Sequence, residues 1–307
     1  MSVLITGANG FLGRNLIRQM VDYGYKDVVG IDINDADLTN ENEIESIFHK
    51  YKPEYVVHCA AKLGSLEYMQ KYSNTIFYDN IRMNLNVMEY SRKHDVKKLI
   101  NIGTASSYPE NIEVPYKESQ YWQDLPEKTI RGYAMAKKFS LIHQEMCWEQ
   151  YDFSSIYLVL ANLYGPGFII GSKYPHVIPS IIIKMYNAKI NNLNNITLWG
   201  NGNQTREFLY VDDATNAIIL SLDKYNDITP LNIGSGYEIS IKDLAEMVRN
   251  IVGFTGEILW DNRKPTGQSR RILDVSRASF KIGFKSKVEL KQGLTETINW
   301  YYRSVKL

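Results

Sequence analysis

Short apolar runs alternate with stretches of helical periodicity through the first half of the chain. Val3–Thr6 is an apolar run, and Asn9 to Tyr23 follows with a helical pattern. Asp27–Ile31 is strand-like, Glu41–Tyr51 helical, and Tyr55–His58 a buried-type run. Ile76–His94 is a long helical pattern, Lys98–Ile102 another apolar run, and a long amphipathic helix runs from Tyr133 to about Gln150. Ile156–Leu160 closes the series. Apolar runs separated by helices and short loops are the pattern of a parallel sheet covered on both faces. The expected fold is α/β, a doubly wound parallel sheet. Such sheets take ligands at the carboxyl ends of their strands, so the chemistry should follow the apolar runs.

The second half reads differently. Asn162-Leu163-Tyr164-Gly165-Pro166-Gly167 is a turn-rich break. Residues 187–206 are rich in Asn and Gly, with few periodic positions. Ile239–Val252 and Leu290–Tyr302 read as amphipathic helices, while Thr215–Leu222 and Leu231–Ile233 are apolar enough to return to the first core. The expected division is a sheet domain over 1–165, with return segments near 210–235, and a smaller C-terminal substrate-binding lobe over 166–209 and 236–307. No internal repeat or low-complexity segment interrupts it.

Charge narrows the function. The 307 residues carry 35 Lys plus Arg against 34 Asp plus Glu, a net +1. That balance provides no global field for a polyanion, so no nucleic acid or acidic membrane is expected as partner. Two cysteines, Cys59 and Cys147, cannot staple a fold and suit a reduced compartment. The N-terminus lacks a signal peptide's basic region, and the most apolar internal run, Val177–Ile183, is far short of the roughly 20 residues of a membrane span. A cytoplasmic protein is expected, and no metal-ligand set is read.

The first apolar run leads into Gly7-Ala8-Asn9-Gly10-Phe11-Leu12-Gly13. Glycines at this spacing, between a strand and a helix, let backbone N–H groups approach a pyrophosphate at the helix N-terminus. This is a dinucleotide cradle of the Rossmann type. Asp32 ends the second run, about 20 residues past the glycines, where a carboxylate bonds a ribose 2′-hydroxyl and repels a 2′-phosphate. That leans toward NAD(H) over NADP(H), although Arg14 could still meet a phosphate. Asp37 and Leu38 contact the adenine, or Asp37 caps the helix beginning near Asn40.

Tyr133 and Lys137 stand four apart, on one helix face. A nearby ammonium favours phenolate and so makes a tyrosine usable in acid–base work near neutral pH. With 22 tyrosines in the chain the spacing alone is common. Its place after the fourth run counts for more, because that run ends in Gly103-Thr104-Ala105-Ser106-Ser107 and puts hydroxyls at the same sheet edge.

Together these residues resemble the extended short-chain dehydrogenase/reductases, the NAD-dependent epimerase/dehydratase family. Within it the chain resembles the GDP-L-fucose synthases. The stretches that carry this are Ala60-Ala61-Lys62-Leu63-Gly64, Asn162-Leu163-Tyr164-Gly165-Pro166, His176-Val177-Ile178-Pro179, Trp199-Gly200-Asn201-Gly202, Arg206 through Asp213, and Lys264-Pro265-Thr266-Gly267 with Arg270 and Leu273-Asp274-Val275. The resemblance implies a triad of Thr104, Tyr133 and Lys137. It places Ala60, Ala61, Lys62 and Asn80 beside the cofactor. It lines a GDP-sugar site with Asn162, His176, Lys184, Trp199, Arg206 and Arg270. Plainer readings stand beside these: Trp199 as core, Lys184, Arg206 and Arg270 as solvated charges, Asp212 and Asp213 as caps for a helix from Ala214.

The sequence also departs from the resemblance. Fucose synthases use a Cys and a His to move protons at the carbons flanking the C4 ketone. His176 matches the His, but Ser106 stands at the Cys position. A thiol ionises near pH 8.5, and a serine hydroxyl is a far weaker acid. The expected activity is C4 reduction of a nucleotide-linked 4-keto-6-deoxy sugar with epimerisation weak or lost. Alternatives are a bifunctional 3,5-epimerase/4-reductase and an NAD-retaining 4-epimerase. The resemblance leans to NADP(H), against Asp32. Family members often dimerise through a helix pair, so a homodimer is expected.

Overall fold

A computed structural model describes residues 1–64, 66–172, 175–263 and 268–305. The first half runs β1 Ser2–Thr6, α1 Phe11–Asp22, β2 Asp27–Ile31, α2 Glu41–Tyr51, β3 Tyr55–His58, α3 Leu66–Lys71, α4 Ser73–Lys93, β4 Lys98–Thr104, α5 Arg131–Tyr151 and β5 Ser155–Leu160. It continues with β6 Asn162–Tyr164, α6 Val177–Ile190, β7 Asn195–Trp199, β8 Thr205–Tyr210, α7 Val211–Lys224 and β9 Leu231–Ile233. Last come β10 Glu238–Ser240, α8 Ile241–Val252, β11 Glu257–Asp261, α9 Ser276–Ile282 and α10 Leu290–Val305.

Six strands form one sheet in the order β2-β1-β3-β4-β5-β9, and every pairing is parallel. β5 is buried along its whole length, as a strand covered on both faces must be. The chain moves outward from β1 in both directions, to β2 on one side and β3 on the other. That leaves a crevice at the carboxyl ends of β1 and β3.

The Leu231–Ile233 return is β9, which adds to the sheet beside β5. The Thr215–Leu222 run lies inside α7 and packs its Ala217, Ile218 and Leu222 into the sheet core. Ala278 and Ile282 of α9 and Phe284 after it join that core too, although the sequence reading put them in the other lobe. A second core gathers Ile181, Ile182 and Met185 of α6, Phe208 and Tyr210 of β8, Leu244 and Val248 of α8, and Leu294 and Ile298 of α10.

Residues 187–206 are more ordered than their composition suggested. β7 alternates exposed and buried residues along its length and pairs in parallel with β11. α6 also escaped the pattern, because the apolar run Val177–Ile183 at its start hides the helical spacing of its buried Ile178, Ile181, Ile182, Met185 and Ala188. Pro179 sits in its first turn, where a missing N–H costs nothing. α8 begins at Ile241 rather than Ile239, because the Ser240 hydroxyl accepts the Asp243 N–H at 3.0 Å as its cap. No helix among the described residues is long and apolar enough to cross a membrane, and both cysteines are free thiols.

Candidate active site

The glycine loop closes backbone against backbone. Gly7 has φ +68°, and a Cβ there would stand 2.8 Å from the Ala60 backbone. A Cβ on Gly13 would stand 2.2 Å from the Gly7 carbonyl oxygen. Asn9 is exposed, and Gly10 is the N-cap of α1 with no side-chain cap. The first-turn N–H groups of Phe11, Leu12 and Gly13 are therefore open to an anion. The residues fit a pyrophosphate.

Asp32 follows β2 and is half-buried. Its Oδ1 accepts the Asn34 N–H at 2.8 Å, and its own N–H donates to Asp35 Oδ2 at 2.9 Å. Asp37 accepts from the Thr39 N–H at 2.9 Å and shapes the turn before α2, but the cap of α2 is Asn40. Leu38 is buried, and its carbonyl accepts from Asn86 at 3.0 Å. Arg14 Nη2 donates to the Asn9 carbonyl at 2.6 Å.

Past β3, Ala60 donates its N–H to Thr6 Oγ1 at 3.2 Å, and that hydroxyl meets His58 Nδ1 at 2.7 Å. His58 Nε2 meets Asn84 Oδ1 at 3.0 Å, and Asn84 Nδ2 donates to the Ala136 carbonyl at 3.1 Å. An amide oxygen only accepts, so the ring carries its proton on Nε2 and accepts from Thr6. Burial pushes the His58 pKa down to about 3, which keeps it neutral. One polar chain thus ties β1, β3, α4 and α5. Asn80 is fully buried. It donates to the carbonyls of Lys62 and Ile76 and accepts the Lys62 N–H, so it shapes the Ala60-Ala61-Lys62 loop from behind. Lys62 itself is paired with Asp79 at 2.7 Å.

Thr104 ends β4, while Tyr133 and Lys137 lie one turn apart at the start of α5. Ser107 in the turn after β4 donates to the Ala134 carbonyl at 3.2 Å and docks the two elements. Lys137 is 2% exposed, and burial lowers its pKa to about 8. The sequence reading expected this ammonium to lower the Tyr133 phenol. Desolvation outweighs that here: burial raises the Tyr133 pKa, and Tyr121 adds to it.

Opposite stands the second lobe. His176 is the N-cap residue of α6 and exposed as a residue, yet the protein around its ring lowers its pKa by desolvation. Asn162 Nδ2 donates to the Glu207 carbonyl at 2.9 Å, and Lys184 Nζ to the Thr197 carbonyl at 2.8 Å. Arg206 Nη1 donates to the Thr205 carbonyl at 2.7 Å, and desolvation followed by the Arg271 charge lowers its pKa to about 10. Arg270 is exposed and paired with Glu238. Trp199 is 43% exposed, which rules out a core role. Asp212 and Asp213 do not cap α7, which already starts at Val211. Asp212 pairs with Arg18, and Asp213 accepts the N–H groups of Lys287 and Val288 at 2.9 and 3.0 Å. The Lys264-Pro265-Thr266-Gly267 stretch lies outside the described residues.

Sequence reasoning missed Arg271. It is 7% exposed, and its Nη1 donates to Ser106 Oγ at 2.8 Å. The Arg270-Arg271 doublet was the signal, and only the backbone decides which of the two turns inward. Away from the cleft, Glu89, His143 and Cys147 come together. Arg92 already lies 2.8 Å from Glu89, so a second cation there would meet a neutralised carboxylate.

Comparison with known proteins bears on the family and the fold. Residues 3–234 match the "NAD dependent epimerase/dehydratase family". GDP-L-fucose synthase 1 of Arabidopsis thaliana is 33% identical over 99% of this chain and 94% of its own. The crystal structure of a GDP-6-OMe-4-keto-L-xylo-heptose reductase from C. jejuni superposes with a TM-score of 0.92 at 28% identity, covering 99% of this chain and 98% of that one. A GDP-mannoheptose C4 reductase from Campylobacter jejuni with NADP bound gives 0.87 at 31% identity, with 98% of both chains covered. The chain belongs to the NAD dependent epimerase/dehydratase family.

Proposed function

We propose that the protein is an NAD(P)H-dependent reductase of a GDP-linked 4-keto-6-deoxy sugar that has little or no epimerase activity. The observation that carries this reading is the chemistry at the end of β4. Thr104 and Ser106 put hydroxyls there, Ser107 docks the start of α5 with its Tyr133 and Lys137 against it, and Ser106 stands where the resemblance places a fucose synthase thiol. The relatives support the substrate class, since their names are those of GDP-sugar synthases and C4 reductases.

The glycine loop and Lys137 would hold the cofactor, which supplies a hydride for sugar C4 when bound. Tyr133 donates its proton to the alkoxide forming on the C4 oxygen, and Thr104 orients that oxygen by hydrogen bonding. Lys137 holds the cofactor ribose. Arg206, Lys184 and Arg270 bring positive charge to the diphosphate, and guanidinium groups suit it by their planar fork. His176, kept neutral, can accept a proton from carbon, but Ser106, a far weaker acid than a thiol, stands in the place of its partner.

Asp32, with Asp35 and Asp37 close by in sequence, favours NADH over NADPH at the ribose. Turnover with the two cofactors tests this, and a strong NADPH preference rejects it. Tyr78 and Leu85 of α4 and Phe139, Ile142 and Met146 of α5 are exposed apolar residues on adjacent helices, which supports a homodimer across that face. Sedimentation should give a dimer that Met146→Glu weakens, and a wild-type monomer at micromolar concentration rejects it.

For the function itself, the enzyme is given a panel of 4-keto sugar nucleotides in D₂O and the products are read by NMR. Reduction at C4 without deuterium at C3 or C5 is the expected result. Deuterium there supports the bifunctional 3,5-epimerase/4-reductase instead. Product formed without consumption of reduced cofactor supports a 4-epimerase.

A further inference from the structure

Arg271 is held on every side by named partners. Its Nη1 donates to Ser106 Oγ at 2.8 Å, and its Nε donates to Gln268 Oε1 at 3.0 Å. Its Nη2 faces Glu127 Oε2 at 3.7 Å. Gln268 in turn donates to the carbonyls of Pro109 and Glu110, both at 3.2 Å. Glu127 is buried and accepts from Thr129 Oγ1 at 2.5 Å, just before the turn that opens α5.

A guanidinium donates only and stays charged. Ser106 Oγ must therefore accept from it, and the hydroxyl hydrogen must point elsewhere. The neighbouring hydroxyl is arranged alike, since Thr104 Oγ1 accepts the Ser106 backbone N–H at 3.2 Å. Both hydroxyls at the end of β4 accept from the protein and have a hydrogen left to give.

We infer that Arg271 is a positioning residue for the reduction, fixing Ser106 as a hydrogen-bond donor to a sugar oxygen beside the C4 carbonyl. This rests on the 4-ketoreductase reading above. Ser106 touches the sugar, and Arg271 acts through it. The same contact keeps Ser106 from removing a proton from carbon, because an oxygen that already accepts from a cation is a poor base. No bond to carbon forms or breaks in this role. The contact also joins the segment after Gln268 to the end of β4 and to the approach of α5, so the sugar site and the triad share one fixed point.

One arm of the test needs no substrate. Ser106→Cys puts a thiol beside the guanidinium, and its thiolate absorbance is titrated with Arg271 intact and in Ser106→Cys/Arg271→Met. Burial pushes the native thiols Cys59 and Cys147 up to about 12 and 11, outside the range that matters. With Arg271 present the new thiol should ionise below its ordinary value near 8.5, and without it at least about one unit higher. Identical titrations overturn the contact. Arg271→Gln replaces Arg271→Met in both arms if the latter unfolds.

The second arm measures reduction. Arg271→Met and Ser106→Ala should each lower kcat about 10- to 100-fold with the cofactor KM little changed. The double variant should lose no more than the worse single one, and Arg271→Lys should recover part of the rate. Multiplying losses, or a large loss in Arg271→Met with Ser106→Ala unaffected, overturn the inference. Wild-type enzyme that reduces no 4-keto sugar nucleotide rejects the reductase reading, and the titration still decides whether Arg271 sets the chemistry of position 106.

Discussion

The two faces of the cleft are built differently. On the sheet side, polar groups are fixed before any ligand arrives: His58 between Thr6 and Asn84, Asn80 around Lys62, and Arg271 on Ser106. On the lobe side, Trp199 and the Glu238-paired Arg270 are exposed, and Lys184 and Arg206 donate to backbone carbonyls of their own lobe. The first is a preorganised reaction edge, where a small misplacement costs rate. The second leaves its charged and aromatic groups more open to solvent. Substitutions on the sheet side should therefore act on kcat and those on the lobe side on KM.

Tyr133→Phe is expected to give the largest effect, a fall in kcat of about 10²- to 10⁴-fold with cofactor binding retained. Unchanged turnover by steady-state assay would remove Tyr133 from the acid role.

Arg206→Met and Arg270→Met separate the lobe's own residues. Arg206 is held among protein groups and is expected to raise the sugar-nucleotide KM about 10- to 100-fold. Arg270 is exposed and paired with Glu238, so its loss should change KM only by about threefold. The reverse order in initial-rate measurements breaks the comparison.

The smallest effect is on stability. Folding lowers the Lys137 pKa from 10.5 to about 8. Between those values the unfolded chain holds more protons, so this group's contribution to stability rises with pH across that window. Below pH 8 its burial cost is present in full. Lys137→Met should therefore stabilise the apo protein at pH 7 by on the order of 1–3 kcal/mol, and the gain should fade toward pH 10.5. A gain that does not change with pH, measured by denaturant unfolding, contradicts the burial argument.

These contrasts also mark what the sequence made legible. The sheet side could be read because its devices are local: a glycine loop after a strand, a Tyr and Lys one turn apart, a hydroxyl run at a strand end. β9 was readable as a return segment by its apolarity. α6 was not, since the apolar run Val177–Ile183 at its start hides the helical spacing of its buried residues. Arg271 was not, because its role depends on Ser106, Glu127 and Gln268, which are distant in sequence and meet only in the fold. The Tyr133 pKa was misread for a similar reason. Spacing shows a neighbouring ammonium but not the burial of both groups, and burial dominates.

The central claim is reduction at C4 without proton exchange at the flanking carbons. Its most direct test is wild-type enzyme with GDP-4-keto-6-deoxymannose and reduced cofactor in D₂O, with the product examined by NMR. The account predicts a C4 alcohol with protium and unchanged configuration at C3 and C5. Deuterium at either carbon, or GDP-L-fucose as the product, would contradict it.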